Sequence, residues 1–141
     1  LGAPSWREHV MARCAVPADG YVEWQKTPTG KRPLWFRDAT DPGQTLWMAG
    51  LVLPDGFVII TTPPSEDVAE VHDRMPALLP PSQVETWLTA TWPAARALLA
   101  PAPTGSLVSQ PLSARINSSA HDDPSCLAAP EAELQLPLFR G

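Results

Sequence analysis

Two side chains in this sequence suit proton transfer near neutral pH. One is the carboxylate of Glu23, in the run Val16-Pro17-Ala18-Asp19-Gly20-Tyr21-Val22-Glu23-Trp24, and the other is the imidazole of His72, in His72-Asp73-Arg74-Met75-Pro76. Glutamate is depleted in strands, so a strand that carries one on a covered face must give the charge a partner or a task. Spacing alone leaves two readings side by side. Either Glu23 and His72 share a proton-handling site, or Glu23 makes a structural ion pair with Arg74 or another cation and His72 simply ends a helix. Trp24 is equally open: it could stack a nucleobase or pack in the core with most of the other tryptophans, Trp6, Trp35, Trp47, Trp87 and Trp92.

The elements that must position these residues are legible as alternation. From Tyr21 to Lys26, Val22 and Trp24 fall on one face and Tyr21 and Glu23 on the other, and Thr27-Pro28-Thr29-Gly30 supplies a turn into a second strand over residues 33–37. A loop over residues 38–44 leads to a strand over 46–52, and Pro54-Asp55-Gly56 turns the chain into a strand over 57–62. Two hairpins in series predict an antiparallel meander. Its last strand, continuously apolar from Phe57 to Ile60, is expected at the centre of the sheet, buried on both faces.

Beyond Pro63-Pro64 the pattern becomes helical. Ser65 can cap a short helix with Glu66 and Asp67 in its first turn and Val68 and Val71 on its apolar stripe, which delivers His72 at its end. Ser82-Gln83-Val84-Glu85 reads as a capping box, and Pro93 as a first-turn proline of a further helix. Residues 107–116 hold room for one more strand. Residues 117–130, rich in Ser, Asp, Ala and Pro, read as loop or linker.

Composition narrows the function classes. A formal net charge of -5 argues against a broadly basic surface and strong nonspecific attraction to nucleic acid. Cys14 and Cys126 stand in no metal-ligand spacing with His9, His72 or His121, so neither a metal nor another cofactor is expected. No apolar run is long enough for a membrane span and no secretory leader opens the chain, so a cytoplasmic location and no membrane partner are expected.

Several ordered motifs carry a resemblance. Arg13-Cys14-Ala15-Val16-Pro17-Ala18-Asp19-Gly20-Tyr21-Val22-Glu23-Trp24 resembles the central signature of the SOS-response-associated peptidase (SRAP) family. Ala49-Gly50-Leu51, the strand ending in Thr61-Thr62, His72-Asp73-Arg74-Met75-Pro76 and Ala114-Arg115-Ile116-Asn117 follow in the family's order. The resemblance implies an α+β fold, with an antiparallel β-barrel-like core and flanking helices. It implies a groove for single-stranded DNA and an abasic site as substrate, captured as a thiazolidine by the amine and thiol of an N-terminal cysteine. Glu23 then corresponds to the family's glutamate of autoproteolytic methionine removal and Schiff-base proton transfer. His72 corresponds to its histidine of sugar ring opening and crosslink reversal, and Trp24 and Arg74 fall where DNA contacts are expected. A monomer at the nucleoid is the expected state.

The family opens Met-Cys-Gly-Arg, whereas this sequence has no cysteine before Cys14. The expectation is an N-terminally truncated chain: residues 1–117 a partial SRAP domain, 118–130 its C-terminal part or a linker, and 131–141 a flexible tail. It is read either as a fragment of a crosslinking protein or as a non-catalytic protein that binds single-stranded DNA or the sliding clamp. Peptidase activity beyond self-removal of methionine is the weaker reading. In the tail, Gln135, Leu136, Leu138 and Phe139 resemble the QLxLF pentapeptide of bacterial clamp-binding proteins, and a leucine-rich staple against the domain is the alternative.

Overall fold

Period-two patterning in the first half of the chain does produce strands, and the computed structural model describes residues 12–131. The strands are β1 (Arg13–Ala18), β2 (Tyr21–Thr27), β3 (Gly30–Asp38), β4 (Leu46–Leu53), β5 (Gly56–Ile59), β6 (Thr61–Thr62), β7 (Met75–Pro76), β8 (Leu78–Leu79) and β9 (Leu107–Pro111). Short helices α1 (Glu66–Ala69), α2 (Val84–Thr89) and α3 (Trp92–Arg96) are joined by 3-10 turns at Pro81–Gln83, Ala114–Asn117 and Pro124–Leu127. The architecture is α+β with antiparallel pairing, as expected. Among the described residues the sheets stay open rather than closing into a barrel.

The expected single meander is instead divided. Hairpin β2–β3 belongs to a sheet of order β2-β3-β9, and hairpin β4–β5 to a second sheet of order β1-β4-β5. The connection after β3 separates them: the Asp38 carboxylate accepts from Thr40 N and Asp41 N, which turns the chain out of the first sheet.

The central strand is also a different one. Among the described residues β5 borders only β4 and leaves Phe57 56% exposed, whereas β4 is paired along both edges and is buried or half-buried from Leu46 to Leu51. Leu46 faces a core formed with Leu34, Phe36, Val68, Met75 and Leu107; Ala49 and Trp47 face a second core with Ala77, Leu79, Trp87 and Ala95. The strand expected over 57–62 divides at Ile60 into β5 and β6, which belong to different sheets, because position in a sheet is set by what pairs with it.

On one edge of β4 runs β1; on the other, β5 gives way to β8 at Ala49. There Ile60 N donates to Ala49 O at 2.9 Å, Ala49 N to Ala77 O at 2.9 Å, and Ala77 N to Ile60 O at 2.8 Å. Three strands thus share one closed set of backbone bonds, and the ribbon β6–β7 springs from it. Behind the sheet, fully buried Trp87 donates from Nε1 to Cys14 O at 2.8 Å, and Arg13 donates to Trp87 O and Ala90 O, which ties β1 to α2.

The capping box does not form. Pro81-Ser82-Gln83 winds as a 3-10 turn, so Gln83 rather than Ser82 takes the N-cap of α2, with no side-chain bond. Ser65 does stand at the N-cap of α1, yet its Oγ is buried without a partner and its N–H donates to Met75 Sδ at 3.1 Å. Pro93 starts α3 as expected. In residues 118–130, Asp123 caps the turn that buries Cys126, and Ser113 N donates to Ala128 O at 2.8 Å.

Gly50 lies where β1, β4 and β5 approach most closely. A Cβ there would lie 2.9 Å from Cys14 Sγ and 2.9 Å from Val58 O. Overpacking costs about 1–3 kcal/mol, against about 0.5–1 kcal/mol gained by removing glycine's chain entropy. Gly50→Ala is therefore expected to lower Tm by roughly 3 °C or more in thermal unfolding; an unchanged or raised Tm would show that the strands relax freely.

Candidate active site

Glu23 lies on β2, an edge of its sheet among the described residues, with Tyr21 on the same face. The Tyr21 ring stacks on Phe36 at 5.2 Å and packs against the core, so the next residue on that face, Glu23, emerges at the core's rim. Tyr21 Oη is buried with no partner, and burial and the nearby carboxylates of Glu23 and Asp67 hold its hydroxyl well above the usual tyrosine range. Helix α1 covers this rim. It is pinned by Asp67, whose carboxylate accepts from Gly105 N and Leu107 N, and its buried Val68 turns the chain so that His72 N donates to Val68 O at 3.0 Å.

His72 therefore arrives beside Glu23. Its Nε2 is 3.8 Å from Glu23 Oε2, with the two side chains 42% and 23% exposed. The other nitrogen, Nδ1, lies 3.1 Å from Arg74 N and 3.0 Å from Arg74 O, with the Asp73 carboxylate at 3.4 Å. When Nδ1 is bare it accepts from Arg74 N–H and leaves the Nε2 proton facing Glu23; when Nδ1 is protonated it donates to Arg74 O. The same ring position thus serves both protonation states. Arg74 is itself held by Thr61, donating from Nε to Oγ1 at 3.0 Å and from Nη2 to the carbonyl at 2.7 Å.

Burial holds the Glu23 carboxyl above its ordinary value; the His72 charge opposes this and Asp73 adds to it. A carboxyl of raised affinity for protons, facing an open imidazole, is an arrangement that can pass protons to and from a bound molecule. Around it lies an open depression of about 560 Å³, lined by Glu23, Trp24, Lys26, Lys31, His72 and Asp73 with part of α1 and the residues after it. It spans both faces of the free β2 edge.

Trp24 is more exposed than the other candidates for a core role would allow, at 36%, while Trp87 is fully buried. Its indole Nε1 donates to Asn117 Oδ1 at 2.6 Å, which fixes the ring plane at the rim. The sequence brought forward Glu23, His72, Trp24 and Arg74; the fold places Glu23, Trp24 and His72 around one depression, while Arg74, two residues beyond His72, is bonded to Thr61 and is not part of its lining. Thr61 and Asn117 stood in the ordered motifs without an assigned role and the lysines were not marked; no local pattern signals the role of Asn117 because its partner lies 93 residues away. The pentapeptide residues Gln135, Leu136, Leu138 and Phe139 lie outside the described residues. Among the described residues there is no cluster of metal-ligating side chains, and no helix is long and apolar enough to cross a membrane.

A family model described as SOS response associated peptidase (SRAP) matches residues 1–119. Abasic site processing protein HMCES of Gallus gallus is 33% identical over 143 residues, covering 82% of this chain and 43% of that protein. Abasic site processing protein YedK of Escherichia coli (strain K12) is 31% identical over 93 residues, covering 60% of this chain and 40% of that protein. The chain spans less than half the length of these curated relatives. A protein of Bacteroides thetaiotaomicron with a crystal structure superposes with a TM-score of 0.76 at 28% identity, over 91% of this chain and 61% of that one.

The raised Glu23 carboxyl sets a pH dependence. Ionising it costs folding free energy that is absent below the unfolded value of about 4.3, grows as pH rises through the raised folded value, and is fully present near neutrality. Glu23→Gln removes this cost, so near neutral pH it should melt roughly 1–3 °C above the parent, with the gap closing at about pH 4. A gap that persists unchanged in acid would mean the carboxyl is not strained by burial.

Proposed function

Because this chain belongs to the SOS response associated peptidase (SRAP) family, we propose that it acts in the DNA damage response at abasic sites in single-stranded DNA. The observation that carries this reading is the facing of Glu23 and His72 at an open sheet edge beside the exposed ring of Trp24. An abasic deoxyribose is a cyclic hemiacetal. Opening it requires one group to take the proton of the anomeric hydroxyl and another to deliver a proton to the ring oxygen, a division of labour suited to a carboxyl and an imidazole on facing elements. Trp24 stacks a neighbouring base, and Arg74, anchored by Thr61, keeps donors free for a phosphate.

The aldehyde so exposed condenses with the α-amine of an N-terminal cysteine and expels water. The cysteine sulfur then adds to the imine carbon while its proton passes to nitrogen, closing a thiazolidine. Cys14 and Cys126 cannot supply this pair, since their amines are in peptide bonds. The crosslinking cysteine would thus lie outside these 141 residues, with Glu23 also serving autoproteolytic release of the methionine before it. The second reading is a protein that binds single-stranded DNA or the sliding clamp without a covalent product. The tail residues Gln135, Leu136, Leu138 and Phe139 add docking on the sliding clamp, which would bring an acidic protein to gapped DNA.

The full-length gene product, incubated with a single-stranded oligonucleotide bearing an abasic site, should yield a product that survives denaturing electrophoresis. Glu23→Gln or His72→Ala should slow its formation about a hundredfold or more, and Trp24→Ala should weaken binding by about 1–3 kcal/mol. Binding without any covalent product would remove the crosslink and leave the non-covalent reading. For the tail, Leu138→Ala combined with Phe139→Ala should abolish affinity for the clamp; unchanged affinity would end that proposal.

A further inference from the structure

Like charges directly opposite in a hairpin cost stability, yet Lys26 and Lys31 are cross-strand partners in β2–β3. Their spacing follows from Pro33. A proline has no N–H, and the Pro33 carbonyl accepts from Leu112 N at 3.0 Å on the far side of β3, so Trp24 and Pro33 form a non-hydrogen-bonded pair. Pair types alternate along a ladder. Lys26 and Lys31, two positions further on, are therefore of the same kind, with Cα atoms at the closer spacing of about 4.5 Å.

Both lysines are exposed, share the Trp24 face of the strand pair, and line the same depression as Glu23 and His72. Among the described residues neither takes part in an ion pair. Nothing in the hairpin offsets their repulsion. An anion between them would, and the surrounding segment is suited to one: residues 24–37 carry Lys26, Lys31, Arg32 and Arg37 and no acidic residue, in a chain of net charge -5. Glu70 and Asp73 lie on the opposite wall of the depression, with His72, so an anion is favoured on the hairpin side.

We propose that Lys26 and Lys31 form a phosphate clamp, holding a backbone phosphate of the single strand whose neighbouring base stacks on Trp24 and whose abasic sugar meets Glu23 and His72. This deepens the reading of the depression as a single-stranded DNA site and rests on it. The clamp sets where the strand runs: along the hairpin, across the free β2 edge, with the sugar turned toward the carboxyl.

The test uses the full 141-residue chain and fluorescence anisotropy with two single-stranded oligonucleotides, one of thymidine only and one with a central tetrahydrofuran abasic analogue, across a salt series. Lys26→Ala combined with Lys31→Ala should weaken binding to both by about tenfold at low salt and reduce the slope of log affinity against log salt by about 0.7–1.4. Lys26→Arg combined with Lys31→Arg should keep the parent slope. Lys31→Glu, which turns the repulsion into a cross-strand attraction, should weaken binding while melting no lower than the parent, which separates lost contact from lost fold. An unchanged slope in the double alanine variant overturns the clamp. Equal parent affinity for the two oligonucleotides, with the slope change present, overturns the abasic reading and leaves the clamp; a parent that binds neither overturns both.

Discussion

From Leu46 to Leu51 the residues of β4 are buried or half-buried, and the peptide groups of that stretch must be paired along its two edges. β1 satisfies one edge at full length. The other is long enough to need two partners, β5 and then β8, and the exchange between them closes at Ala49, Ile60 and Ala77. An unpaired buried peptide group costs about 1–3 kcal/mol, so this junction decides where the chain leaves the sheet. It leaves as β6–β7, the ribbon that holds Arg74 on Thr61 and, through the Arg74 peptide unit, the imidazole of His72.

The site is thus assembled from two sheets that meet through one core. β2 contributes Glu23 because Tyr21, two residues earlier, is drawn onto Phe36; α1 contributes the approach of His72 because Val68 fills the same core and Asp67 ties the helix to the start of β9. The carboxyl is lifted by burial while its imidazole partner stays open to solvent. Charge is arranged with the same economy. The molecule is acidic as a whole, but residues 24–37, beside the carboxyl, carry Lys26, Lys31, Arg32 and Arg37 and no acidic residue.

Much of this was legible in local pattern. Alternation placed Tyr21 with Glu23 and Val22 with Trp24, the turn at Pro28-Thr29 appeared where its residues predict it, and the family's ordered motifs marked Glu23, Trp24, His72 and Arg74 before any geometry was known. Other features were not. The apolar run at 57–60 reads as a central strand and is an edge; Ser82 reads as a cap and lies inside a 3-10 turn. Each error has one cause, that local preference describes what a segment can form and not which neighbour takes its hydrogen bonds.

The sequence by itself determined most of the longer strands and the short helices, the family, and which side chains are candidates for proton transfer, since these depend on periodicity and on residue types at fixed spacing. Only the tertiary structure decided that Glu23 and His72 approach to 3.8 Å, that Asn117 holds the ring of Trp24, and that two unpaired lysines face the same depression. The physical reason is separation along the chain. Those contacts join segments tens of residues apart, and their geometry comes from core packing and β4 edge pairing, for which no short stretch of sequence carries a signature.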